Sequence, residues 1–368
     1  MILKNFSAEG FRNIDRAEIS FHPRVNLLVG KNAEGKTNAL EGIYLFSRGK
    51  SFRAREEKEL LGHGKEGFRL KIEYERGGRD ESLEYAAFGR ERLRKKNGYK
   101  LSRMSELLGN FISVLFSPED LNLVKGGPEE RRQFLNIAVS QCYPEFLRTY
   151  SQFKEVLEAR NNLLKKAGRG EYVDPLELKS WTVMVADYSA YVHLTRIDYL
   201  KRLEKYAKET VRDISSDCES LSLVYKSPLC GEGLDIFTLK DMYTELMMQN
   251  IEKEKILGTT LYGPQREDVD ILLSGVSARS FASQGQQRSI VLAIKLGEGE
   301  VIREMLGEYP VFLFDDVLSE LDEERRKYII GGVGERQIII SSCFEENLND
   351  FADNIIKVKE GNYVSSYR

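Results

Sequence analysis

The sequence is poor in the residues that staple or metallate a domain. Four cysteines (Cys142, Cys218, Cys230, Cys343) and three histidines (His22, His63, His193) lie scattered over 368 residues without a CxxC pair. A disulfide framework and a zinc site are thereby excluded from the reading. Long hydrophobic runs are also missing, since the longest, such as VNLLV from Val25 and VFLF from Val311, are strand-sized. No segment is long enough to span a membrane, so no membrane partner is expected. The amino terminus, MILKNFSAEGFRNI, is charged by its fourth residue and lacks an apolar signal region, and the expectation is a cytoplasmic protein. Positive charge is not in excess either: 55 Lys and Arg face 58 Asp and Glu, a net charge of -3. Any polyanion must be held by a local patch rather than by global attraction.

What is present, 41% hydrophobic and 31% charged residues, describes an ordinary globular chain, with room for roughly two to two and a half domains at about 150 residues each. The first residues read as extended segments, and Val25–Val29 is apolar enough for a strand buried on both faces. Helical spacing follows, with Ala39, Leu40, Ile43, Tyr44 and Phe46 on one side. Residues 68–101 alternate again, and Asn97-Gly98 is a strong hairpin signal, so an antiparallel sheet is expected there. Ser117-Pro118-Glu119-Asp120 and Gly127-Pro128-Glu129-Glu130 read as helix starts with acidic first turns. Two amphipathic helices follow, carrying Phe146 to Leu164 and Trp181 to Tyr206 and split by GRGEYVDP, which predicts a helical hairpin. Strand texture returns after Leu261. The fold class expected is α/β: a head over residues 1–115, a helical arm lobe over 116–255, and the head again over 256–368.

The chemistry is carried by Gly30-Lys31-Asn32-Ala33-Glu34-Gly35-Lys36-Thr37, which matches GxxxxGK[ST] between a buried strand and a helix. Glycines let successive N–H groups turn inward around phosphates, and the helix N-terminus adds partial positive charge. Lys36 then reaches the β- and γ-phosphates of ATP, and the Thr37 hydroxyl ligates Mg²⁺. A metal-side carboxylate is expected as well, and Asp315 ends the apolar strand VFLFD. Asp316 is placed to orient or deprotonate the attacking water, although two acids after a strand also serve as a plain helix cap. Ser283-Gln284-Gly285-Gln286-Gln287-Arg288 opens a helix and forms a second anion site; the plainer reading of Ser283 is again a cap.

These segments, together with DDVLSELD over 315–322 and the strand IIISS, resemble an ABC-type P-loop ATPase head, with a mixed sheet plus an antiparallel sheet and an inserted helical arm lobe. Within that class, FRN at 11–13, SPEDLNLVKGGPEERRQFLN at 117–136, YGPQRED at 262–268 and SQGQQR at 283–288 resemble the bacterial RecF family of recombination mediators, over essentially the whole chain. The resemblance implies two heads meeting face to face around two ATP molecules. Ser283 and Gly285, with Gln286, then contact the γ-phosphate held by the partner's Lys36. Arg12 and Asn13 match the segment that approaches the nucleotide, and Asp322 matches the D-loop aspartate. It further implies an SMC-like head that acts in DNA repair, with RecR and RecO as partners and RecA loading at gaps as the outcome. Asp316 replaces the usual Glu and Ser341 and Ser342 stand where a switch histidine is usual, so slow hydrolysis is expected; no Q-loop glutamine is evident, and the resemblance implies an ATPase that depends on DNA. An energy-coupling ATPase of a transporter and an SMC-like structural DNA organiser are the alternatives. The first needs a docking surface for a membrane subunit, and the second needs long coiled coils.

DNA, duplex or gapped and bound without sequence preference, requires cations. The densest run holds Arg90, Arg92, Arg94, Lys95, Lys96, Lys100 and Arg103, where phosphate contacts would give strong salt dependence. Its plainer reading is a hairpin with charged edges. A second cluster, Lys154, Arg160, Lys165, Lys166 and Arg169, climbs the first arm helix among interleaved glutamates, for which ordinary i,i+4 pairing is an equally good reading. Arg131 and Arg132 sit beside a Gly-Pro turn and read equally well as structural ion pairs.

Overall fold

In the computed structural model, which describes residues 1–229, 231, 233–318, 322–331, 334–343 and 351–367, the chain forms two compact units. The first comprises Met1–Asp120 with Val291–Arg368, and the second Leu121–Ile290. The head therefore resumes later than the sequence pattern places it. Residues 256–290 belong to the second unit, because the strand Asp268–Leu273 pairs antiparallel with Leu221–Lys226.

The first unit contains two six-stranded sheets. In one, strands run in the order Asn362–Tyr367, Asn354–Lys359, Val25–Val29, Ile338–Ser342, Val311–Asp315, Ser113–Phe116, and all but the first neighbour pair are parallel. Five consecutive buried residues in each of Val25–Val29, Val311–Asp315 and Ile338–Ser342 explain the unbroken apolar runs, since a central parallel strand is covered on both faces. The other sheet is an antiparallel meander in the order Ile14–Ser20, Ile2–Phe11, Gly67–Arg76, Arg79–Phe88, Glu91–Lys96, Tyr99–Lys100. Its last turn is the expected one: Asn97 and Gly98 have φ of 50° and 83°, the left-handed pair of a two-residue hairpin.

Between the sheets runs the helix Lys36–Arg48. Leu40, Ile43 and Phe46 join Phe6, Phe11 and Ile72 of the meander and Leu28, Leu313 and Ile339 of the parallel sheet in one buried core. Each such side chain contributes on the order of 1.5–3 kcal/mol by leaving water, and together they fix the start of the helix at the carboxyl end of Val25–Val29.

The second unit holds the arm. Helices Phe146–Gly168 and Pro175–Ile214 form the predicted hairpin; Asp174 caps the second by accepting from the Leu176 N–H at 2.9 Å, with Pro175 at its first position. Phe153, Val185, Ala186 and Ala190 pack with Leu239, Tyr243 and Met247 of the helix Ile236–Gln249. Arg160, read from the sequence as part of a basic stripe, is fully buried instead. Its guanidinium donates to Glu254 at 2.6 Å, Thr260 at 2.7 Å and Thr182 at 2.9 Å. Arg131 makes a two-pronged pair with Asp268 at 2.8 and 2.9 Å, and Arg132 donates to the Glu267 carbonyl at 3.0 Å. Both arginines are therefore structural. Among the described residues no helix is long and apolar enough to cross a membrane.

Candidate nucleotide site

The parallel sheet brings the P-loop and the acidic strand together. Ile338–Ser342 lies between Val25–Val29 and Val311–Asp315, with Asp315 in register with Ser341 and Val29 in register with Ser342. At that carboxyl edge the Thr37 hydroxyl donates to Asp315 Oδ1 at 2.8 Å, across 278 residues of sequence. Ser341 Oγ donates to the same oxygen at 2.8 Å and accepts from the Asp316 N–H at 3.0 Å. Burial pushes the Asp315 carboxyl above its ordinary value, and Asp316 adds to that; the hydrogen bonds from Thr37 and Ser341 and the charge of Arg53 oppose it. A hydroxyl beside a buried carboxylate that resists ionisation is a donor set suited to Mg²⁺, whose charge favours the ionised form.

The loop itself is braced on two sides. Gly35 has φ +117°, and a Cβ there would lie 3.0 Å from both Asn13 Oδ1 and the Tyr363 hydroxyl, so only glycine fits. Asn13 Nδ2 donates to the Ala33 carbonyl at 3.1 Å, and Tyr363 donates to the Gly35 carbonyl at 2.8 Å. The Gly361 N–H donates to the Glu34 carbonyl at 2.9 Å. Buried Lys36 donates from Nζ to the carbonyls of Gly30 and Lys31 at 2.7 and 2.9 Å. Asn32 Oδ1 accepts from the Cys343 thiol at 2.7 Å, and Lys36 Nζ lies 3.4 Å from the same sulfur. Asp316 has φ +52°, an uncommon backbone for a non-glycine residue and a frequent one at functional sites.

Several expected site residues have other partners. Arg12 is turned to Glu41, a fully buried acid of the P-loop helix, at 2.6 and 2.9 Å, and to the Glu59 carbonyl. It positions the turn before Asn13, and only Asn13 of the two bonds the loop. Ser283 Oγ accepts from the Gln286 N–H at 3.3 Å while Gln286 Oε1 accepts from the Ser283 N–H at 2.7 Å, a reciprocal capping box at the start of the helix Gln284–Leu306. Within one chain the plainer reading of Ser283 is thus realised, with its side chain still exposed and Gly285 half-buried. Asp322 accepts from the Arg325 N–H at 2.9 Å and opens the helix Glu323–Gly331; residues 319–321 of the D-loop lie outside the described residues.

In the basic hairpin, several of the cations expected to face DNA have partners within the chain. Lys96 pairs with Glu81 at 3.0 Å, Lys95 with Glu84 at 3.6 Å, and Arg94 lies over the Tyr85 ring at 5.7 Å. Cross-strand pairing gives Lys95 and Lys96 acidic partners, and Lys100 is exposed at the end. Lys165 and Lys166 are exposed on the arm.

Sequence reasoning missed Arg53, Tyr363 and Cys343. Arg53 donates to Asn38, the residue after Thr37, at 3.1 Å. No motif marks it; its only signal is membership of the cationic stretch between the P-loop helix and the meander. Ser117, expected from the sequence to start a helix, also follows Phe116, which is in register with Phe314, so it opens the loop beside the metal-side carboxylate.

With this geometry in hand, comparison with known proteins is decisive. The family model for the RecF/RecN/SMC N-terminal domain matches residues 2–366. A DNA replication and repair protein RecF of Alkaliphilus oremlandii is 36% identical over 352 residues, covering 95% of each chain. The chain belongs to the RecF family. A RecF of Ruminiclostridium cellulolyticum is 34% identical over 99% of this chain and the whole of its own. A solved structure of the recombination mediator protein RecF with ATP, of the RecFOR pathway, superposes with a TM-score of 0.91 at 32% identity, over 100% of this chain and 97% of that one. An Smc head domain from Pyrococcus furiosus, at 17% identity and a TM-score of 0.60, shares the fold and so bears out the expected ABC-type, SMC-like head.

Proposed function

We propose that this RecF-family chain is an ATP-gated DNA-binding switch of DNA replication and repair. ATP and Mg²⁺ join two heads, the closed dimer holds duplex DNA near a single-strand gap, and slow hydrolysis releases it. The observation that carries this reading is the Thr37–Asp315 contact of 2.8 Å, which unites the two halves of a phosphate and metal site. A RecF whose fold this chain matches has been solved with ATP, which supports the nucleotide part of the reading.

In this account the P-loop amides and Lys36 hold the β- and γ-phosphates, and Asn13 and Tyr363 keep the loop in the shape those amides need. Thr37 and Asp315 would hold Mg²⁺, which would neutralise phosphate charge when bound. Asp316 accepts the proton of the attacking water. Its carboxylate is one methylene shorter than glutamate and has no histidine beside it, which favours a slow turnover suited to a timer. Ser283 and Gly285 of a second copy contact the γ-phosphate, with Gln286 holding the helix start and Asp322 lying at the joint. The RecFOR pathway named for its relatives supports RecR and RecO as partners, and the reading extends to assistance with RecA loading in a cytoplasmic setting.

The test is fluorescence anisotropy of a labelled gapped duplex, with and without ATP and Mg²⁺. The wild type binds more tightly with both, and Lys36→Ala loses the nucleotide effect while keeping its salt-dependent background. Equal affinity with and without ATP contradicts the switch.

A further inference from the structure

The tip of the arm presents an outward aromatic that no part of the nucleotide site uses. Tyr172 is 87% exposed and Leu176 73%, whereas Phe146, Phe153 and Tyr199 of the two arm helices are fully buried. Tyr172 is nevertheless not on a loose loop. Its neighbour Val173 packs against Leu163, Leu164 and Leu178, and on the other side the Glu171 N–H donates back to the Lys166 carbonyl at 3.1 Å. The loop is clamped at both ends and its ring is held out to solvent.

The helix end that leads into this loop carries Lys165, Lys166 and Arg169, all exposed, and none of them forms an ion pair among the described residues. The two lysines also offset the carbonyls that end the helix Phe146–Gly168, which accounts for their charge but not for Tyr172. Glu171 and Glu177 share the tip, so the attraction is local to the end of that helix. A rigid aromatic beside uncommitted cations suits one ligand class, a single-stranded nucleic acid whose unstacked bases lie on the ring while its phosphates meet the lysines. The meander hairpin also ends in an exposed aromatic beside a cation, Tyr99 at 79% and Lys100, but its neighbouring Lys95 and Lys96 are paired with Glu84 and Glu81.

We infer that Tyr172, with Lys165 and Lys166, is a stacking site for single-stranded DNA at the arm tip. The inference rests on the DNA-binding reading above and narrows it to a strand and a place. Its test is the affinity of the full chain for a labelled oligothymidylate and, separately, for a blunt duplex. Tyr172→Ala weakens oligothymidylate binding roughly tenfold, Tyr172→Phe retains it, and ATPase activity and duplex affinity stay as in the wild type. The Lys165→Ala/Lys166→Ala double variant lowers the slope of log K against log salt by about 1.4, at about 0.7 per single-strand phosphate contact. As a second readout, the chain's single tryptophan, Trp181, is replaced by Phe and Tyr172 by Trp; oligothymidylate then quenches the new fluorescence. Unchanged oligothymidylate affinity in Tyr172→Ala overturns the tip site while leaving the DNA-binding reading intact, and assigns the patch to a protein surface. A wild type that binds neither DNA overturns both.

Discussion

Cys343 stands immediately after the strand Ile338–Ser342, in contact with Asn32 and 3.4 Å from the P-loop lysine. A group added to that sulfur intrudes on the phosphate cradle, and phosphates in the cradle shield the sulfur. Saturating ATP is therefore expected to slow alkylation of Cys343 by N-ethylmaleimide at least several-fold, with exposed Cys218 as the unaffected internal reference. Peptide mass mapping reads both sites, and equal protection or none contradicts the placement. A second residue-scale prediction concerns Asp268. Burial pushes its carboxyl up, but hydrogen bonds from Arg131 and the Val269 N–H outweigh this and hold it below the ordinary value. A depressed carboxylate stabilises the fold above its unfolded pKa of about 4, and that contribution is lost as pH falls through the lower folded value. Asp268→Asn is thus expected to be less stable than wild type near pH 7, with the gap in denaturant midpoint closing below about pH 3.5. A gap that is independent of pH contradicts the assignment.

At the scale of elements, the arm is fastened by a charge inside it. Arg160 of the first arm helix, Thr182 of the second and Glu254 of the helix Ile251–Leu257 meet with no exposed surface on any of the three. Removing one member leaves the other charge buried and unpaired, at a cost of about 3–5 kcal/mol. Arg160→Met is expected to lower the thermal midpoint sharply, and Arg160→Met/Glu254→Leu to recover most of the loss; a double variant as unstable as the single contradicts this account. The arm hairpin, the buried central strands and the Asn97-Gly98 turn were legible in the sequence, because periodicity and turn chemistry are local. Arg160 was not, since helical spacing reports which side a residue is on but not what covers it. The strand Leu221–Lys226 was equally obscured, being six residues long between helices and acquiring its role only from Asp268–Leu273. The P-loop could be read as a motif, whereas its braces could not: Tyr363 reaches Gly35 across 328 residues. Ser283 illustrates the converse, for the capping and phosphate readings of one hydroxyl are alike in sequence and part only when a second chain is present.

For the whole molecule, the two halves of the nucleotide site are joined by the sheet, while Ser283 lies in the other compact unit from Lys36. A hydroxyl that only capped its own helix would tolerate a bulky cation nearby with a loss of about 1 kcal/mol. A hydroxyl that faces the γ-phosphate of a second copy would not. Asp316→Asn is expected to retain ATP-dependent association while hydrolysis falls on the order of a hundredfold or more, prolonging the dimer; hydrolysis unchanged in that variant would remove Asp316 from the chemistry. The most direct test of the central claim is sedimentation velocity of wild type and Ser283→Arg, with and without ATP and Mg²⁺. The account predicts a dimer only for wild type with both present, and monomers in every other case. Equal dimerisation of Ser283→Arg, or a wild type that hydrolyses ATP while remaining monomeric, would contradict it.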